Sequence, residues 1–159
     1  MGESKLILKQ DGVIAGLQLC QIIFDVIDSS VRFEMNATDG QSYNKGEILA
    51  TATGRIQSLL KGARLMLTLL QHLSGIASQT QHVVELVKHT GVKILDTRKT
   101  TPGLRLLEKW AVTMGGGHNP RIGLYAMIML KENHIDSGNG ITAAVEKTRK
   151  YLDVNQLNL

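Results

Sequence analysis

At 159 residues, 43% hydrophobic and 20% charged, the chain excludes a disordered or low-complexity polypeptide and has room for one globular domain, or for one and part of a second. Lys and Arg number 18 against 14 Asp and Glu, a net charge of +4, which suits anionic partners. Only 4% of residues are aromatic, so stacking platforms for single-stranded nucleic acid are scarce, and small phosphorylated or carboxylated molecules are favoured over nucleic acid.

The opening MGESKLILKQDG lacks the long apolar core of a signal peptide. Leu6 stands where a myristoylation motif after Met1-Gly2 needs Ser or Thr. No apolar run approaches the roughly 20 residues of a membrane span. Val13–Ala15 reads as a short strand after Asp11-Gly12, and Leu17–Ile27 is apolar at helical spacing. Cys20, the lone cysteine, lies in that run and reads as a packed core thiol rather than a nucleophile. A single thiol fits a reducing compartment, so the cytoplasm is the expected location. Val31–Asn36 alternates as a half-exposed strand, Thr38-Asp39-Gly40 signals a turn, and Glu47–Ala52 reads as the next strand, ended by Gly54. Ile56, Leu59, Leu60, Ala63, Leu67 and Leu70 form a helical stripe wide enough to predict burial on most sides. Ser74-Gly75 is expected to interrupt it, with a second helix running to Lys88.

Residues 1–76 are thus read as an N-terminal α/β domain and 77–159 as a second region. From Gly91, Val92–Leu95 is a short apolar run, Gly103–Met114 has a helical pattern, and Gly115-Gly116-Gly117 breaks the chain. Tyr125–Leu130 is a continuous apolar run, expected to be a strand buried on both faces. Ile141–Tyr151 is helical. Strand, helix, strand, helix is the order of a parallel sheet. About 70 residues hold only about two such units, whereas a parallel barrel needs about 250. The expectation is therefore part of a larger fold, truncated.

Polar chemistry gathers in the second region. Lys93–Arg105, KILDTRKTTPGLR, predicts a buried strand, an anion-gripping loop and a helix. The polar run Asp96–Thr101 follows the strand directly, where α/β folds bind ligands. Arg98 offers a planar fork to a carboxylate or phosphate, and Lys99 a point charge. Thr97 and its neighbours add hydroxyls, and Pro102 prepares the helix. A solvated turn is the ordinary alternative. In GGGHNPR, the glycines permit close backbone approach to a ligand and Arg121 supplies another fork, against the alternative of a flexible connector. Lys131-Glu132-Asn133-His134 follows the second expected strand in the same way. Arg64 interrupts the long apolar helix and, by itself, reads as an arginine snorkelling to the surface. His72, His82 and His89 show no zinc spacing, and Walker, GxSxG and GxGxxG motifs are absent from the sequence.

KILDTRKTTPGLR, GGGHNPRIGL and MLKENHI together resemble the signature series of the quinolinate phosphoribosyltransferase family, the carboxylating nicotinate-nucleotide pyrophosphorylases. DGVIAGL, GEILATATG, ARLMLTLLQHLSGIA and GITAAVEKTR fit the same family in the same order, from Asp11 to Lys150. The resemblance implies an α/β chain: an N-terminal α/β sandwich-like domain, lacking its first helices, followed by the first part of an incomplete parallel α/β barrel. It implies transfer of phosphoribosyl from phosphoribosyl pyrophosphate to quinolinate with decarboxylation, giving nicotinate mononucleotide for NAD biosynthesis. It further implies that Lys99 and Lys131 are catalytic, and that Arg64, Thr97, Arg98, Lys99, His118, Arg121, Lys131, Asn133 and His134 bind substrate. Arg98, Arg121 and Lys131 would face the two carboxylates, with Lys99 near the phosphoribosyl donor. Arg64 would reach a neighbouring subunit's site in a homodimer. Mg²⁺ would accompany phosphoribosyl pyrophosphate, with no metal ligand expected in this chain. The chain departs from the family pattern at Pro120, where histidine is usual, at Thr68 in place of asparagine, and at Ala63 in place of glutamate. The family's later strands, which carry the metal-side carboxylates, are expected to be missing. The expectation is a fragment inactive alone; the alternatives are one half of a split enzyme, or a non-catalytic anion- or nucleic-acid-binding module.

Overall fold

The computed structural model describes residues 1–158. Its elements, in chain order, are β1 (Gly2–Ile7), β2 (Gly12–Val13), α1 (Leu17–Ile27), β3 (Arg32–Met35), β4 (Ser42–Tyr43), β5 (Ile48–Gly54), α2 (Ile56–Val87), α3 (Arg105–Met114), α4 (Glu132–Ser137) and α5 (Ile141–Val154). The chain is mixed α/β, with no closed barrel among the described residues. It divides into two compact units, Met1–Asn119 and Pro120–Leu159.

In the first unit, β1, β5 and β3 form an antiparallel sheet in that order, and β2 pairs with β4. Strand β1 runs beside β5 from Gly2 opposite Gly54 to Ile7 opposite Ile48. On β3 the alternation works as expected: Phe33 is buried while Arg32 and Glu34 face out. The sheet's apolar face packs on α1 and α2, enclosing Phe24, Phe33, Leu49, Ala50, Ala52, Leu59, Met66 and Leu70. Phe24 and Phe33 meet at 5.7 Å between ring centres. Gly62 makes room for this pair, since a Cβ there would stand 2.6 Å from Phe24.

Helix α1 starts where it does because Asp39 caps it from a distance. Its carboxylate accepts the Gly16, Leu17 and Gln18 N–H groups at 2.8, 3.0 and 3.4 Å, satisfying donors that the first helical turn leaves free. The expected Thr38-Asp39-Gly40 turn therefore has a partner: it delivers that carboxylate.

Helix α2 is one uninterrupted helix, contrary to the expected break at Ser74-Gly75. The small residues serve docking instead. Ser74 Oγ accepts the Ala15 N–H at 3.0 Å, and Ser78 Oγ, one turn on, accepts the Val13 N–H at 2.9 Å. A second apolar cluster of Val13, Ala15, Leu73, Ala77 and Ala111 forms there, joining α2 to α3. The stripe on the first half of α2 is less covered than expected: Leu60, Leu65 and Leu67 are exposed in the isolated chain.

Two expected strands do not form. Val92–Leu95 contributes one isolated parallel bridge, Leu95 to His118, and Val92 and Leu95 remain 60% and 56% exposed. Tyr125–Leu130 begins in a turn and has no regular secondary structure from Met127 to Leu130, with Tyr125 74% exposed. Both have the apolar signature of doubly covered strands, but a ladder needs hydrogen-bonding neighbours. Among the described residues Leu95 finds one and Tyr125–Leu130 none. The named sheet pairings are accordingly all antiparallel.

In the second unit, Lys131–His134 is not a loop closing a strand. Lys131 caps α4, and His134 Nδ1 accepts the Lys131 N–H at 3.1 Å. Gly138, Asn139 and Gly140 then turn the chain into α5, the last two with positive φ. Gly138 packs on Ala144.

Candidate functional site

The loop between Leu95 and α3 is built from its two ends. At the first end, the His118 N–H donates to Ile94 O at 2.9 Å and the Asp96 N–H to His118 O at 3.1 Å. The Asp96 carboxylate then pairs with Lys109 on α3, both side chains being buried. At the far end, the Thr101 N–H donates to Glu108 Oε2 at 3.1 Å. The other Glu108 oxygen meets His72 Nε2 of α2 at 2.8 Å. Burial pushes the Glu108 carboxyl up, but hydrogen bonds from Thr101 and His72 outweigh it and hold the group below its ordinary value. Arg105 reaches back from α3, donating to Thr100 Oγ1 at 3.2 Å and to Arg98 O at 3.4 Å.

Between these anchors Thr97, Arg98 and Lys99 are exposed. The Lys99 N–H donates to Thr97 Oγ1 at 3.1 Å, tightening the turn. Neither Arg98 nor Lys99 joins an ion pair among the described residues. The loop thus presents a guanidinium and an ammonium to solvent on a backbone held at both ends, as capture of an anion requires. His118 is exposed beside the bridge. Two buried acceptors, Asp96 Oδ1 and Asn119 Oδ1, lack a hydrogen-bond partner among the described residues.

Two of the three glycines are required by packing, and the third by the turn. A Cβ on Gly115 would lie 2.2 Å from Ala77 O and 2.7 Å from Thr80 Cβ, and one on Gly117 2.6 Å from Val112 Cγ1. Gly115 lets the end of α3 pass against α2, and Gly116 turns the chain at φ +83°.

The remaining expected site residues stand as follows. Arg64 is exposed on α2, beside Leu60, Ala63, Leu67, Thr68 and Gln71 around a shallow recess. In the second unit Arg121 is buried and its Nε donates to Gly123 O at 3.0 Å. Lys131, Asn133 and His134 are exposed in and before α4.

Comparison with known proteins gives this geometry a family. The model for the N-terminal domain of quinolinate phosphoribosyl transferase matches residues 1–74, and the model for its C-terminal domain matches residues 76–158. The chain belongs to the quinolinate phosphoribosyltransferase family. It is 39% identical over 157 residues to quinolinate phosphoribosyltransferase [decarboxylating] 1 of Nicotiana glauca, covering 99% of this chain and 44% of that relative. It is 43% identical over 148 residues to a probable nicotinate-nucleotide pyrophosphorylase [carboxylating] of Bacillus subtilis, covering 93% and 51%. The NadC crystal structure from Streptococcus pyogenes superposes with a TM-score of 0.90 at 42% identity, covering 94% of this chain and 53% of that one. The chain therefore spans about half the length of these quinolinate phosphoribosyltransferase relatives.

Sequence reasoning singled out the loop's cations but missed the residues that hold it: His72, Arg105, Glu108 and Lys109. The signal was available in part. Adjacent opposite charges between Leu107 and Trp110 sit on an apolar helix, and buried charges need partners. Asp96, opening the loop, was the natural candidate for Lys109.

Proposed function

We propose that this chain carries the substrate-gripping part of a quinolinate phosphoribosyltransferase, with Arg98 and Lys99 as its principal cations. The observation that carries the reading is the exposed Arg98–Lys99 pair on a loop anchored at both ends. Quinolinate has two adjacent carboxylates, so it needs several cations. Arg98 suits one carboxylate by its fork, and Lys99 suits the phosphoribosyl donor as a point charge. Arg121, Lys131, Thr97, His118, Asn133 and His134 keep the substrate-binding roles that the family pattern suggests, with Lys131 joining Lys99 in catalysis.

In the reaction proposed for the whole enzyme, the bond from the ribose carbon to pyrophosphate breaks as the quinolinate nitrogen bonds to that carbon. When the neighbouring carboxylate leaves as carbon dioxide, its bonding electron pair stays on the ring carbon, stabilised by the adjacent, now positive, nitrogen. A proton from solvent then takes the vacated ring carbon. No protein nucleophile takes part. The chain's residues contribute orientation and charge stabilisation.

Mg²⁺ is the family's expected companion of phosphoribosyl pyrophosphate. Among the described residues there is no group of three or more His, Cys, Asp or Glu able to hold a metal, Asp96, which opens the loop, is committed to Lys109, and the substrate's own phosphates would supply most of the ion's ligands. No step here runs through the metal.

We also propose a homodimer in which Arg64 serves the partner's site. The exposed Leu60, Leu65 and Leu67 beside Arg64 support that reading. No helix among the described residues is long and apolar enough to cross a membrane, and the buried lone thiol supports a cytoplasmic location. The proposed domain boundary stays near residue 76, and the chain alone is expected to be inactive. Calorimetric titration with quinolinate, together with a chromatographic assay for nicotinate mononucleotide, tests these statements. Binding that Arg98→Ala weakens by at least about tenfold, the worth of one charge-assisted bond, is expected, without product. Equal affinity in the variant would defeat the binding reading, and product formation would defeat the inactivity.

A further inference from the structure

Glu108 and Lys109 are neighbours on α3, both are buried, and they hold opposite ends of one loop. Lys109 fixes Asp96, where the loop begins. Glu108 fixes the Thr101 N–H, where it ends, and is itself held by His72 of α2. Arg105, one turn earlier on α3, bonds the middle of the loop at Arg98 O and Thr100 Oγ1. Among the described residues no sheet does this work, because the backbone before the loop has a single bridge. Two charged groups are buried on a short helix where apolar residues would cost less, and each has the loop as its partner.

We propose that Glu108 and Lys109 are positioning residues for anion capture: they fix the stance of Arg98 and Lys99 without touching the ligand. This rests on reading the loop as the quinolinate grip. A loop held before binding loses less conformational freedom on binding, so its cations yield more net affinity. Cut loose at Thr101, the same cations would have to be ordered by the ligand.

The test uses the full chain with Glu108→Ala and Glu108→Gln, followed by amide hydrogen exchange and by calorimetric titration with quinolinate. Glutamine keeps an oxygen for the Thr101 N–H, and His72 can change tautomer to accept from its amide. In Glu108→Ala, exchange at Thr101 should rise, and quinolinate affinity fall, by about tenfold each, as loss of a charge-assisted bond implies. Glu108→Gln should restore most of both. The sheet amides of Ala50 and Ala52 should keep their wild-type exchange. Unchanged exchange at Thr101, or faster exchange with wild-type affinity, would overturn the proposal. Wild-type protein that binds no quinolinate would instead sink the functional reading, while the exchange comparison would still judge the clamp. If Glu108→Ala also loses sheet protection, exposed Arg105→Ala carries the same two readouts, and wild-type values in both would overturn the proposal.

Discussion

Lys109→Met would remove one side of a buried ion pair whose members, Lys109 and Asp96, are 3% and 6% exposed at the side chain. Asp96 Oδ1 already has no hydrogen-bond partner among the described residues. Losing the ammonium leaves the whole carboxylate buried without a counter-charge. Breaking such a pair from one side costs about 3–5 kcal/mol, a large share of the roughly 5–15 kcal/mol that holds a domain together. For a chain of this size each kcal/mol moves Tm by about 2–4 °C, so a fall of roughly 10 °C is expected. The double variant Asp96→Val/Lys109→Met removes both charges and should recover most of that loss, because an apolar pair of similar volume often replaces a buried ion pair at little cost. Urea denaturation followed by circular dichroism on the wild type, both single variants and the double gives the coupling energy directly. Lys109→Met within about 1 kcal/mol of wild type would refute the reasoning, since it falls below the range for a buried pair. A double variant no more stable than the singles would refute it as well.

Gly115→Ala should destabilise by about 1–3 kcal/mol through overpacking, because its Cβ would lie 2.2 Å from Ala77 O; an unchanged Tm would show that α2 and α3 do not meet as closely as described. The Cys20 thiol is pushed up to about 12 by burial, with the Asp39 charge adding to the effect and a hydrogen bond from the Cys20 backbone N–H opposing it. It should therefore resist a thiol reagent at pH 8 in the native protein and react after urea unfolding, and fast native labelling would contradict this. The Asp28 carboxyl is held down to about 2, chiefly by the Ser30 hydroxyl and then by the Ser58 hydroxyl, each at 2.6 Å. Its folded value lies below the unfolded one near 3.9, so its stabilising contribution is present above about pH 4 and is lost as pH falls toward 2. Ser58→Ala should move the Asp28 titration, followed by carboxyl NMR, to higher pH; an unmoved midpoint would discount the Ser58 bond.

Where the sequence was legible, the reason was a local pattern with one solution. Leu17–Ile27 predicts α1 residue for residue, because its apolar spacing suits one helical face against a sheet. Val31–Asn36 likewise gives β3 by alternation. Strand β1 escaped notice because its residues, GESKLI, bury little and pair only through backbone with distant β5. Val92–Leu95 and Tyr125–Leu130 misled for the opposite reason. Their apolar runs signal burial between neighbours, and that burial is a property of partners rather than of the segment. In the candidate site, the cations Arg98 and Lys99 announced themselves by sitting in a polar run. Glu108 and Lys109 did not, since their task becomes visible only when Asp96 and Thr101 are brought beside α3.

The continuity of α2 matters most for the site. Its first half carries the sheet through Leu59, Gly62, Met66 and Leu70, and exposes Arg64. Its second half carries α3 through Leu73 and Ala77, and holds Glu108 through His72. A break at Ser74-Gly75 would have let these halves move separately, leaving the loop supported by little more than its single bridge. With one rigid helix, the well-packed core under β5 also restrains α3, and α3 restrains the loop through Glu108, Lys109 and Arg105. The placement of Arg98 and Lys99 is therefore inherited from the N-terminal core by way of helix packing. Ser74 and Ser78 bond Val13 and Ala15 onto the middle of α2, so the residues that suggested a hinge are among those that fasten the two halves together.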